Sequence, residues 1–200
     1  MGLDMYLYKV KKPQPSLNLN LSAEDISLID SYLNYLNDEQ AKNYTFEQWT
    51  GRSSLPSQEL IDAYTPELQV RYDSYDTKKQ FPHASIVTMI QDWRKANAIH
   101  DWFVRHTQDG LDECQPSFVT KENFEELLET CRKIIHVKND QAELEVIAKN
   151  ILPTASGFFF GSTDYDEYYV YDIEDTVETI ESILKEDDFD KYYYIYQASW

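Results

Sequence analysis

Leu3-Asp-Met-Tyr-Leu-Tyr-Lys-Val10 sets Met5, Leu7 and Lys9 against Tyr6 and Tyr8, the period-two pattern of a strand with one buried face. At the far end of the chain, Tyr192 to Gln197 is a second run of this kind. It is expected to be a closing strand that pairs with the first. Between the two, helical spacing dominates. Ser22 reads as a cap with Asp25 as its capping partner, followed by the stripe Ile26, Ile29, Leu33 and Leu36. Thr120 caps another helix, with Phe124, Leu127, Leu128, Cys131, Ile134 and Ile135 inward. Further helices are expected over Gln141 to Asn150, and over Asp172 to Glu186 with Ile173, Val177, Ile180 and Leu184 inward. A long helix is predicted from Ser85 to His106, where Ile86, Ile90, Trp93, Asn97, His100 and Phe103 share one face. Helices outnumber strands. The expected class is therefore α+β, a helix-rich single domain over 1–200 with a small antiparallel sheet pairing the N-terminal and C-terminal strands.

The connections are less regular. Lys11 to Asn20, with Pro13 and Pro15, reads as a loop. Residues 37–84 are polar and interrupted by Gly51, Pro56, Pro66 and Pro82, with one helix expected around Ser57 to Tyr64; they are read as an insertion or lid. Gln108 to Gln115 is expected to loop around Asp109-Gly110, and Ser117 to Val119 to form a short strand. Gly157-Phe-Phe-Phe-Gly161 is expected to be a strand or a tight approach into a turn.

Two hundred residues, 42% hydrophobic and 14% aromatic, suffice for a folded core. The formal charge of −18 is uneven: residues 1–100 hold 13 acids and 10 bases, residues 101–200 hold 23 acids and 8 bases. Phosphate neutralisation drives most nucleic-acid affinity, so direct binding to DNA or RNA is not expected. An anionic membrane surface would repel the chain as well. Cys114 and Cys131 make no disulfide framework. Met1 to Val10 lacks the basic and apolar regions of a secretory leader, and a cytoplasmic protein is expected, whether its genome is cellular or viral.

Twelve of the 27 residues from Asp164 to Asp190 are acidic, against the single base Lys185. Glu174, Glu178 and Glu181 recur at helical spacing, a stripe of like charges, and Asp187 and Asp188 oppose the helix dipole at its C-terminal end. A solvated face accounts for such a run. The sharper reading is a DNA-mimic-like surface. A fifteen-residue helix is roughly 22 Å long, and DNA carries a charge per about 1.7 Å of axis. Glu174, Glu178, Glu181, Asp187 and Asp188 would then engage a basic, nucleic-acid-handling protein partner, making this a non-enzymatic acidic binding protein.

Two other constellations carry chemistry. Asn97 and His100 fall on the same stripe as Trp93, which implies either a satisfied core network or a pocket. In the pocket Trp93 would stack on a nucleotide-like ligand, Asn97 and His100 would read its edge, and Ser162 and Thr163 would supply a turn facing it. His100 could also act as a general acid or base. Asp164, Asp166 and Glu167 could hold a divalent cation, although their spacing is not that of an EF-hand. No other cofactor is expected. No nucleophile elbow, P-loop or HExxH is present, so catalysis has no strong motif behind it.

Three blocks, Gly2-Leu-Asp-Met-Tyr-Leu-Tyr8, Arg94-Lys-Ala-Asn-Ala-Ile-His-Asp-Trp-Phe-Val104 and Gly157-Phe-Phe-Phe-Gly-Ser-Thr-Asp-Tyr-Asp-Glu-Tyr-Tyr169, resemble a family of uncharacterised phage and bacterial proteins. The resemblance spans the chain except residues 11–84. It implies no fold, activity or site residue. It does imply a context, a phage-type antagonist of a host nucleic-acid-handling or defence complex, with anti-CRISPR proteins as the general class by analogy.

Overall fold

The computed structural model describes residues 2–13, 19–72 and 82–200. The chain forms two compact units, residues 1–9 with 89–200, and residues 10–88. Within the expected 11–20 loop and the expected 37–84 insertion, residues 14–18 and 73–81 lie outside the described residues.

The larger unit carries a four-stranded antiparallel sheet in the order β4-β1-β6-β5. Its strands are β1 (Asp4–Lys11), β4 (Val87–Arg94), β5 (Ser117–Phe118) and β6 (Tyr192–Ser199). The N-terminal and C-terminal strands are neighbours, as expected. Alternation does the work in β1: Leu3, Met5 and Leu7 are fully buried, while Tyr6 and Tyr8 stack on each other on the other face. In β6 the core-facing rings are Tyr194 and Tyr196. Phe103 stacks on Tyr196 at 4.1 Å between centroids, and Phe124 meets Tyr194 edge-on.

Four helices cover this unit: α4 (Asn97–Thr107), α5 (Lys121–Val137), α6 (Gln141–Ile151) and α7 (Glu167–Glu186). The expected Thr120 cap of α5 is a full capping box with Asn123, an arrangement that contributes about 1 kcal/mol. Phe124, Leu127, Leu128, Cys131 and Ile134 are buried, and burial pushes the Cys131 thiol well above its ordinary pKa. Helix α7 starts one and a half turns before the expected Asp172. The Asp166 carboxylate accepts from the backbone N–H groups of Tyr168 and Tyr169 at 3.0 and 3.1 Å, which pins the start there.

The long helix expected from Ser85 to His106 is instead a strand, a break and a helix. Val87, Thr88 and Ile90 favour extended backbone, and β4 pairs with β1 at the sheet edge. Lys95, with φ 66°, turns the chain before α4 begins. The spacing of Ile86, Ile90 and Trp93 arises because β4 is only half buried, not because it coils. The Gly157–Gly161 segment is the turn of the two alternatives. Phe160 donates its N–H to the Gly157 carbonyl, and Phe159 and Gly161 lie in the left-handed region at φ 62° and 94°.

The smaller unit contains α1 (Ala23–Asn37), α2 (Phe46–Thr50), α3 (Gln58–Tyr64) and the antiparallel hairpin β2 (Gln69–Tyr72) with β3 (Pro82–Ser85). The Ser22–Asp25 capping box of α1 forms as expected. Ile26, Ile29 and Leu33 are buried, whereas Leu36, in the last turn, is 50% exposed rather than inward. The Asp30 carboxylate ties α1 to the end of β3 by accepting from Ile86 N–H at 2.7 Å and Ser85 Oγ at 2.9 Å. The described residues of the expected insertion therefore include α2, α3 and most of the β2–β3 pair.

Candidate functional site

In the larger unit a cleft of about 250 Å³ opens where the β4–α4 connection meets the segment leading into α7. Arg94, Lys95 and the first turn of α4 form one wall; Gly161, Ser162, Asp164, Asp166, Tyr168 and Asp172 line the other. Backbone geometry builds the first wall. Lys95 donates its N–H to the Leu3 carbonyl at 2.8 Å and sits at positive φ, a conformation that costs a non-glycine residue energy. Gly161 approaches it so closely that a Cβ there would stand 3.0 Å from that of Lys95. Ala96, which precedes α4, offers no side-chain cap. The leading N–H groups of a helix have no intrahelical acceptor, and Ala98 and Ile99 bring that positive end to the cleft.

Asn97 holds the second wall to the first. Its buried amide donates to the Phe160 carbonyl at 3.1 Å and the Ser162 carbonyl at 2.8 Å, and accepts from Ala155 N–H at 3.0 Å. Phe160 then plugs into the core edge-on against His100 and Trp200. Phe158 and Phe159 remain outside, 80% and 57% exposed, in edge contact with each other.

Asp172 is the most perturbed carboxyl in the cleft. Burial, followed by the charges of Asp175 and Asp166, pushes it up to about 7. Its side chain has no hydrogen-bond partner among the described residues. Asp175 is also raised, by burial and by Glu178 and Asp92, against the lowering effect of its hydrogen bond from Gln91. The carboxylate of Asp166 serves the cap of α7, and Asp164 accepts from Ser162 Oγ at 3.0 Å within its turn.

No protein-family model, curated protein or solved structure matches this chain.

Of the pocket expected from the sequence, Asn97 and Ser162 line the cleft, and Trp93, His100 and Thr163 do not. Trp93 is buried and donates its indole N–H to Thr176 Oγ1 at 3.1 Å, so it offers no stacking face. His100, 2% exposed, spans Tyr196 Oη at 2.7 Å and the Asp112 carboxylate at 3.0 Å. That makes it a member of a satisfied core network, away from the cleft. Thr163 lies in a shallower hollow with Gln141, Lys149 and Glu167. Asp164 and Asp166 share the cleft wall but Glu167 does not. Among the described residues no group of three His, Cys, Asp or Glu stands close enough to hold a metal ion.

The expected anionic face is largely matched by cations of the same chain. Glu174 meets Lys138, Glu181 meets Arg132 at 2.9 Å, Asp187 meets Lys121 at 2.6 Å and Asp188 meets Lys191 at 2.7 Å. Of the five acids, only Glu178 has no ion pair among the described residues. These are exposed pairs that add little to stability, but they remove free charge from the α5 side of α7. The unmatched acids lie on its β4 side, where Asp175 feels the charges of Glu178 and Asp92, and Asp172 feels that of Asp175. Arg94, Lys95, Tyr168 and Asp172 are functional candidates that sequence reasoning did not single out. Asp172 carried one signal, its place at the start of the expected acidic helix, and Lys95 carried none.

Proposed function

We propose that the protein is a non-enzymatic binding protein that takes a small nucleotide-like ligand by its anionic group in this cleft. The carrying observation is the polarity of the cleft: the Arg94 and Lys95 side chains and the leading turn of α4 on one wall, carboxyls on the other. Lys95 makes no ion pair among the described residues, so its charge is available to a phosphate. At about 250 Å³ the cleft holds a phosphate and sugar, with the rest of the ligand reaching the mouth. The test is a thermal-shift series with nucleoside monophosphates and inorganic phosphate, with and without Mg²⁺. A ligand at about 100 times its Kd should add about 2.7 kcal/mol of stability, and Lys95→Glu should abolish the shift. A flat response to every phosphate compound sinks the reading.

A second reading rests on arithmetic. Eighteen bases cannot neutralise 36 acids, so an anionic surface survives every ion pair. Its best-placed part is Asp92, Asp175 and Glu178 rather than the paired acids of the α5 side. This face would engage a basic nucleic-acid-handling or defence protein, with binding weakened by salt. Reversing Asp92, Asp175 and Glu178 to lysine should abolish capture of a partner purified from the host. Undiminished capture by the triple variant would refute it.

A further inference from the structure

Tyr168 and Asp172 stand at i and i+4 on α7, so they lie one above the other along the same cleft wall. Neither side chain makes a hydrogen bond or ion pair among the described residues. The Tyr168 ring is 72% exposed and makes no ring contact among the described residues. The Asp172 side chain is half-buried, without a hydrogen-bond partner among the described residues, and crowded by two carboxylates of its own helix. An exposed aromatic face beside an unsatisfied carboxyl, opposite two cations, is the arrangement that holds a planar ring with a polar edge while its phosphate is bound elsewhere.

Resting on the nucleotide reading above, we infer that Tyr168 and Asp172 form a base-recognition wall that reads a nucleobase edge setting a donor beside an acceptor, as in adenine, cytosine or uracil. The ring stacks on Tyr168. The Asp172 carboxyl accepts from the amino group, and its protonated form also donates to the adjacent ring nitrogen, giving a bidentate pair. The charged groups around this carboxyl are Asp175 on α7, its cap Asp166, Asp164 before that, and Arg94 and Lys95 across the cleft. Burial among these acids keeps the proton in place to about neutrality, so the two-bond mode exists below that pH and decays above it. On uracil the same protonated carboxyl accepts from the ring N3–H and donates to the O4 carbonyl, so this base is held as well.

Calorimetric titration of the full chain with AMP, CMP, UMP, ribose 5-phosphate and inorganic phosphate tests this at pH 6 and pH 8. AMP, CMP and UMP should bind about tenfold tighter than ribose 5-phosphate at pH 6, the scale of one bidentate base contact. Their affinity should fall at pH 8. Asp172→Asn keeps a donor and an acceptor at every pH and should make AMP binding pH-independent; Asp172→Ala and Tyr168→Ala should bring AMP down to ribose 5-phosphate. If ribose 5-phosphate binds as tightly as AMP, the base wall is overturned while the anion cleft stands. Identical pH profiles for the native chain and Asp172→Asn would also overturn it. If no phosphate compound binds, cleft and base wall both fall.

Discussion

Asp172→Asn is expected to raise the melting temperature by several degrees at pH 8 and to change little near pH 4. The carboxyl is carried from 3.8 to about 7, first by burial and then by Asp175 and Asp166. A folded state that disfavours the ionised form holds a proton that the unfolded chain has released. Stability therefore falls as pH rises from about 4 to about 7, and the loss is complete above that. A shift of this size corresponds to about 4 kcal/mol at full effect, and solvent access at the cleft reduces it to about 1–2 kcal/mol. At roughly 2–4 °C per kcal/mol for a chain of this length, the change is well within reach of a thermal melt. The variant should also flatten the pH dependence of stability across that window. A variant less stable than the native chain at pH 8 would mean that Asp172 has a partner that stabilises its charge.

Asn97→Ala should cost about 2–4 kcal/mol in urea unfolding, because one buried and two part-buried backbone groups lose their partner together. Among the described residues, the amide of Asn97 alone bonds the Phe160 and Ser162 carbonyls and the Ala155 N–H. Without it the 155–162 segment has no polar anchor to α4, and the Phe160 plug against His100 and Trp200 loosens with it. Hydrogen exchange at Ala155 should accelerate alongside the loss of stability. Asn97→Asp is the informative companion: a carboxylate can still accept from Ala155 but faces two carbonyl oxygens, so it should be no better than alanine. If Asn97→Ala unfolds at the native urea midpoint, the clamp is not what holds the cleft together.

Local rules were legible where local chemistry decides the outcome. Ser22 with Asp25 and Thr120 with Asn123 form their caps because each completes hydrogen bonds within four residues. Leu3, Met5 and Leu7 alternate because they meet one core face. The same rules misread Ser85 to His106, since a half-buried edge strand followed by a helix mimics one continuous stripe. They also start α7 late: Asp166, read from the sequence as one of three cation-binding carboxylates, is the cap from which the helix begins. Of the expected pocket, Asn97 and Ser162 reached the cleft, and Trp93 and His100 were claimed by Thr176, Tyr196 and Asp112, partners far away in sequence.

By itself, the string determined the α+β class, the pairing of its two terminal strands and a surface with far more acids than bases. Those properties follow from periodicity and composition, which survive any arrangement of the elements. Which acids are free was decided only when α5 brought Lys138 and Arg132 beside Glu174 and Glu181, leaving Asp172 and Asp175 crowded on the other side of the helix. Charge acts over a few ångströms through space, and residues that share a local field need not be neighbours along the chain.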